Sequence, residues 1–297
     1  MNFHGKYRDI IQADKLHVLS LSVLVDSLAD SPGGTAGNIA YNLALLGDSP
    51  VLLAAIGQKD QAYLDRLQAL GVDTSPVHLS PLPTPTFTVL TDTEDNQVGG
   101  FYPGAMTDHG SLSLDPWKDK NPLVVISAND PGAMNKYVEY CTKHNLEYVY
   151  DVGQQVSNIS DSDLRLGVEG CRLLVLNDYE LGVVTNKLKQ NVEDTVPIVV
   201  TTLGAKGCQI SGHEIKKLIK VPALPDIQVV DPTGAGDAFR GGFLYGYLQG
   251  YNLEICARLG NITGSFAVQV KGTQEHVFNY KGISDMYYSN YGTKLPQ

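Results

Sequence analysis

Residues 231–239 read Asp231-Pro232-Thr233-Gly234-Ala235-Gly236-Asp237-Ala238-Phe239. An acidic residue and a proline lead into a glycine-rich turn, and an apolar stretch follows at once. Phe239, Phe243 and Tyr247 recur at i, i+4 with Leu244 and Leu248 beside them, which predicts a helix. Gly234 and Gly236 allow backbone angles that let the turn aim its N–H groups at one spot. That spot lies at a helix N-terminus, where free amides and the helix dipole favour an anion. Asp237 therefore puts a carboxylate where an anion is expected. In isolation, Gly-Asp before a helix reads as an N-cap. In this context the residues fit a general base for phosphoryl transfer, with the amides holding the developing charge.

Outward from this stretch, the chain alternates strands with helices. Apolar runs at 122–130, 146–153, 173–178 and 197–204 are separated by helical segments such as 137–145 and punctuated by glycine. This pattern predicts an α/β fold with a doubly wound, mostly parallel sheet, whose ligand lies beyond the C-terminal strand ends. Near the start, residues 15–26 alternate. Leu19, Leu21, Val23 and Val25 share one face, and Ser20, Ser22 and Asp26 share the other, predicting a strand with one polar side. After Pro32-Gly33-Gly34, a helix is expected from Thr35 to Leu46, stopped by Gly47. Residues 51–57 read as a strand buried on both faces, and 63–71 as an amphipathic helix. The 80–85 region is a proline-rich hinge or loop. The stretch 84–103 pairs with 15–26 as a small separate β-sheet lid. The expected division is 1–26 and 84–106 for the lid, with 27–83 and 107–297 forming the core.

Composition bounds the function. A net charge of −10 argues against nucleic acid or an anionic membrane as partner. With 43% hydrophobic residues the chain can fill a core. Cys141, Cys171, Cys208 and Cys256 lie far apart, without metal-ligand spacing, and read as buried thiols of a reducing compartment. No signal-peptide core or membrane-length run is present, so a cytoplasmic location is expected. The absence of GxxxxGK[ST] excludes a P-loop enzyme. The histidines show no metal or triad spacing.

The 231–239 stretch resembles the C-terminal signature of the ribokinase-like (phosphofructokinase-B type) carbohydrate and nucleoside kinases. The resemblance implies Asp237 as catalytic base and Gly234, Ala235 and Gly236 as the anion hole. It also implies Asp231 and Thr233 near a monovalent cation, commonly K+. Gly33-Gly34-Thr35-Ala36-Gly37-Asn38 looks like the family's substrate motif, with Gly33, Gly34 and Asn38 contacting the sugar. Asn177-Asp178-Tyr179-Glu180 matches its NxxE motif. That match implies Glu180 as organiser of water around the Mg2+ of ATP, and Asn177 near the phosphates. Thr202, Gly204 and Gly207 match its TLGxxG turn beside the nucleotide, and Asn261 falls where the family packs a helix against the base. Read alone, GG before a helix is a turn, NxxE a strand-end turn with a solvated helix face, and TLGxxG a hairpin turn.

Three further stretches resemble bacterial adenosine and nucleoside kinases: 91–106, Asp151-Val152-Gly153-Gln154-Gln155, and Lys271-Gly272-Thr273-Gln274-Glu275-His276. They imply a small-molecule nucleoside substrate, most simply adenosine, with Phe101 stacking on its base and Ser22 and Asp26 helping to close the site. Packing within the lid accounts equally for Phe101. The match runs from roughly residue 3 to 280, and the family's usual opening strand, with an aspartate that grips two sugar hydroxyls, is absent from it. Loss of such a charge-assisted bond weakens binding by about 1.5–3 kcal/mol, and absence of the strand leaves sheet edges unpaired. Sugar kinase and non-catalytic nucleoside binder are therefore the rival readings. Free lid edges predict a homodimer through those strands.

Overall fold

The computed structural model describes residues 1–11, 18, 20–94 and 96–296. In chain order the elements are β1 (Asn2–Phe3), α1 (Tyr7–Ile10), β2 (Val25–Ser27), α2 (Thr35–Leu45), β3 (Ala55–Gly57), α3 (Gln61–Ala69), β4 (His78–Ser80), β5 (Thr86–Thr91) and β6 (Gln97–Tyr102). They continue as β7 (Val124–Ile126), α4 (Pro131–His144), β8 (Tyr148–Tyr150), α5 (Asp161–Gly170), β9 (Leu173–Asn177), α6 (Asp178–Leu188), β10 (Ile198–Thr202), β11 (Cys208–Ser211), β12 (Ile219–Val221), α7 (Ala235–Leu248), α8 (Leu253–Ala267) and α9 (Tyr280–Tyr291).

The principal sheet runs β12-β11-β10-β9-β8-β7. Strands β7 to β10 are parallel, and β11 returns antiparallel on β10. Side chains alternate across a strand, and β9 shows the consequence. Leu174 and Leu176 pack with Met134, Val138, Leu164 and Val184 of α4, α5 and α6. Leu173 and Val175 pack with Ile39, Phe239, Phe243 and Ala257 of α2, α7 and α8. The sheet is therefore wound on both faces, as the apolar runs predict. Helices α7 and α8 approach closely, and Thr263 Oγ1 donates to Ala238 O at 2.7 Å.

A second sheet has the order β2-β1-β5-β6. The 84–103 prediction holds here as the β5–β6 hairpin, with Phe87 opposite Phe101. The 15–26 strand does not hold at its expected length: only Val25–Ser27 is strand, and residues 20–24 are irregular. Positions 12–17 and 19, Leu19 among them, lie outside the described residues. On the apolar face of the alternation Leu21 is exposed and Val23 and Val25 are only half-buried, so that face meets little core. Nor does β2 touch β5 directly, because β1 lies between them, antiparallel to β2 and parallel to β5.

The 51–57 run is also shorter than expected, with strand only at Ala55–Gly57. It pairs with β4 alone in a separate two-stranded sheet. Among the described residues β7 pairs only with β8, so β3 and β7 each keep one free edge. Among the described residues, too, no helix is long and apolar enough to cross a membrane.

Candidate active site

The 231–239 stretch forms a turn into α7. Gly234 is the N-cap residue, at φ 81° and without a side-chain cap. A Cβ there would meet Thr273 at 2.9 Å, so both the backbone angle and the close approach of the 271–276 loop require glycine. Asp237 lies in the helix's first turn, which excludes the N-cap reading. Its Oδ2 accepts from Asn38 Nδ2 at 2.6 Å. One expectation needs correcting. The amide of Ala235 already donates to Pro232 O at 3.2 Å, so in the anion hole the free amides are those of Gly234 and of the first helical turn after Ala235.

Asn38 sits on α2, which starts at the positive-φ residue Gly34. Its Oδ1 accepts from Gln274 Nε2 at 2.9 Å, and the Thr273 hydroxyl lies 3.0 Å away. The asparagine is thus oriented by the 271–276 loop, with one hydrogen of its amide nitrogen given to Asp237 and the other left free among the described residues. One turn on, Asn42 Nδ2 donates to Asn38 O. That leaves Asn42 Oδ1 to accept from His276 Nε2 at 2.8 Å. Burial pushes the His276 pKa down to about 4, so the ring is neutral and serves packing. Tyr63 OH donates to Gly33 O at 2.9 Å, fixing the glycine pair.

Asp237 titrates above the usual carboxylate range because burial dominates, against the pull of Arg240 and the Asn38 bond, with Glu180 adding repulsion. A carboxylate whose pKa is raised accepts a proton more readily than an exposed one, as a general base requires. Glu180 is buried and closes a capping box: its Oε2 accepts from Asn177 N, and Asn177 Oδ1 accepts from Glu180 N, both at 2.8 Å. The NxxE motif therefore caps α6 and leaves one carboxylate oxygen of Glu180 without a protein donor among the described residues. Asp231 accepts from Thr233 N at 2.9 Å and Gly272 N at 3.0 Å. Despite burial, these bonds hold its carboxyl below the ordinary value. The Thr202–Gly207 turn joins β10 to β11 as a hairpin, with positive φ at Gly204 and Gly207.

Not every expected residue joins this centre. Asn261 Nδ2 donates to Pro222 O at 2.9 Å, which ties α8 to the end of β12. Ser22 and Asp26 are exposed and make no hydrogen bond to Asp237. Phe101 lies on β6 and is 52% exposed. Among the described residues no group of three or more His, Cys, Asp or Glu forms a metal-ligand set. A divalent ion here would thus be held largely by substrate phosphates. Three contributors went unassigned in the sequence. Thr273 and Gln274 contact Asn38 only through the fold. Arg240 is the sole cation of an apolar helix, one turn after Asp237, and that isolation was its signal.

The sequence model of the pfkB family carbohydrate kinases matches residues 6–278. A nucleoside kinase of Methanocaldococcus jannaschii is 31% identical over 274 residues, spanning 90% of this chain and 89% of that relative. The solved structure of Burkholderia thailandensis nucleoside kinase in complex with inosine superposes with a TM-score of 0.89 at 29% identity, covering 99% of this chain and 96% of that one. Its complex with ADP-inosine gives a TM-score of 0.86 at 30% identity, covering 99% and 93%.

Proposed function

The chain belongs to the pfkB family of carbohydrate kinases, and we propose that it is a nucleoside kinase that carries the γ-phosphoryl group of ATP to the 5′-hydroxyl of adenosine, giving AMP and ADP. The similarity to nucleoside kinases over nine-tenths of the chain supports a phosphotransferase with a hydroxyl acceptor. The observation that carries the chemistry is Asp237, held by Asn38 at the mouth of the α7 amides.

Asp237 takes the 5′-hydroxyl proton as that oxygen bonds to the γ-phosphorus and the bond to the ADP oxygen breaks. Charge spreads over the three transferred oxygens, and the Gly234 and Gly236 amides with the α7 dipole receive it. The open oxygen of Glu180 would hold the water shell of a Mg2+ bound with the triphosphate, which would neutralise phosphate charge there. Asp231, ionised and shared between two loops, with Thr233 beside it, suits a monovalent cation such as K+. Asn177 and the Thr202–Gly207 turn border the nucleotide, and Gly33 and Gly34 lie along the ribose. The four-stranded sheet acts as the lid, with Phe101 over the base, and excludes water on closure. Its free edges suit a homodimer, and a concentration-independent monomer mass in light scattering would remove that part.

The test is ADP release with ATP and Mg2+ over a panel of adenosine, inosine, other nucleosides, ribose and fructose. Asp237→Asn runs alongside. Turnover on adenosine that falls by about 10²–10⁴ in the variant is the expected result. A preference for inosine would move the base assignment. Turnover on sugars alone would overturn the nucleoside reading.

A further inference from the structure

Arg240 and Asp151 form a buried hydrogen-bonded pair beneath the proposed catalytic turn. Arg240 Nη2 donates to Asp151 Oδ1 at 2.6 Å, with the two side chains 9% and 1% exposed. Asp151 follows β8, at the C-terminal end of the parallel strands. Arg240 lies three residues after Asp237 on α7, so both project from one helix face. The guanidinium also reaches the anion turn itself, because a Cβ built on Gly236 would stand 2.8 Å from Arg240 Nη1.

The charges converging here are unbalanced. Asp237 from α7, Glu180 from α6 and Asp151 from β8 all act on the single guanidinium. The charged groups that act on Asp237 are Arg240 and Glu180, with Asp151 coupled to it by mutual repulsion, and α2 presents only the neutral Asn38. The pair is also incompletely satisfied, since Arg240 Nε and Asp151 Oδ2 are buried without partners among the described residues. A purely structural Arg–Asp bridge is favoured when bidentate and fully hydrogen-bonded. This one uses a single oxygen and leaves a guanidinium nitrogen against Gly236.

We propose that Arg240, clamped by Asp151, is a positioning residue for phosphoryl transfer: it braces the Gly236 turn from beneath and supplies the buried positive charge that offsets Asp237. The proposal rests on the kinase reading above and adds two residues to it. Arg240 touches neither substrate nor the reacting atoms, so its effect falls on the transition state rather than on nucleoside binding.

The experiment uses the full chain with Arg240→Met, Arg240→Lys and Asp151→Asn, following kcat and KM for the nucleoside from pH 5 to 9 with thermal melting alongside. For Arg240→Met, kcat should fall at least ~100-fold while KM stays within about threefold, and the acidic limb of the profile should move to higher pH. Arg240→Lys should return the limb towards wild type while kcat stays depressed, because a point charge replaces a fork. Asp151→Asn, which conserves volume, should lower kcat about tenfold at unchanged KM. It decides the matter if Arg240→Met fails to fold. Equal kcat in wild type and Asp151→Asn, or a limb that does not move in Arg240→Met, would overturn the proposal. Should wild type phosphorylate nothing, the kinase reading fails by itself. Carbon-13 NMR titration of the Asp237 carboxyl in wild type and Arg240→Lys against Arg240→Met then reads the pairing without turnover, and an unshifted titration refutes it.

Discussion

Asn38 Nδ2 stands 2.6 Å from Asp237 Oδ2, joining residues 199 positions apart in the chain. The asparagine's other terminal atom is held by Gln274 and lies within reach of the Thr273 hydroxyl. Its amide therefore cannot rotate, and the carboxylate receives a fixed donor. One face of α2, the 271–276 loop and the first turn of α7 consequently behave as one unit around the proposed base.

That geometry gives Asn38→Ala a definite signature. Removing a hydrogen bond to a charged group costs about 1.5–3 kcal/mol, so kcat should fall ~10–100-fold. The bond lowers the Asp237 pKa against burial, and without it the acidic limb of kcat should move to higher pH. Gln274→Leu, which frees Asn38 Oδ1 and leaves its nitrogen intact, should show the same effects at smaller size. A pH–rate profile unchanged in both variants would separate Asn38 from the base.

Phe101 tests the proposed lid. With half its surface open on β6, the ring contributes little to the fold, so Phe101→Ala should melt close to wild type. An aromatic contact with a purine is worth about 0.5–1.5 kcal/mol, which raises nucleoside KM roughly 3–10-fold. A KM within error of wild type would assign Phe101 to packing with Phe87 across the hairpin.

These residues also mark what the sequence made legible. The glycine turn and the helix after it were readable because Gly234, Gly236 and the Phe239/Phe243 spacing are local constraints. The parallel sheet was readable because strands buried on both faces are continuously apolar. The small sheet was only half readable. Strand β1 is two residues long and has no periodicity to detect, yet it separates β2 from β5. The alternation at 20–24 misled because its apolar face lacks a full partner, as exposed Leu21 and half-buried Val23 show. At the site, Asn38 was found through its motif, but its bond to Asp237 was not. Which partner a side chain chooses depends on contacts such as Gln274 that no local pattern encodes. Arg240 stood in plain view between Phe239 and Gly241, and its isolation as the one cation of an apolar helix, at helical spacing from Asp237, was the clue to its place.

Asp92, next to the β5–β6 turn, supports the small sheet from a distance. It accepts from the amides of Tyr7, Glu94 and Asn96 and from Asn96 Nδ2. Burial raises its pKa, but those bonds prevail and hold it at about 2. Its folded value lies below the unfolded one near 3.8, so the stabilisation is present above about pH 4 and is lost as pH falls towards 2. The urea midpoint of wild type should therefore drop more steeply between pH 5 and 2.5 than that of Asp92→Asn. Parallel slopes would show that the bonds form equally to the neutral acid.

Asp151 has the opposite sign. Burial outweighs Arg240 and lifts its pKa to about 7, with Asp237 and Glu180 adding repulsion. The folded state thus binds a proton that the unfolded chain has released above about pH 4. The stabilisation from this group is complete below that value and is lost as pH rises through about 7. A shift of this size corresponds to a few kcal/mol between the two ends of the window, on the order of 1.4 kcal/mol for each pH unit. Asp151→Asn lacks the titration and keeps the shape. Removing one partner of a buried pair destabilises at every pH, yet the stability gap between wild type and variant should narrow from pH 5 to pH 8. Denaturant unfolding at three pH values reads this directly. A gap that stayed constant instead would mean Asp151 is ionised throughout and that Arg240 fully offsets its burial.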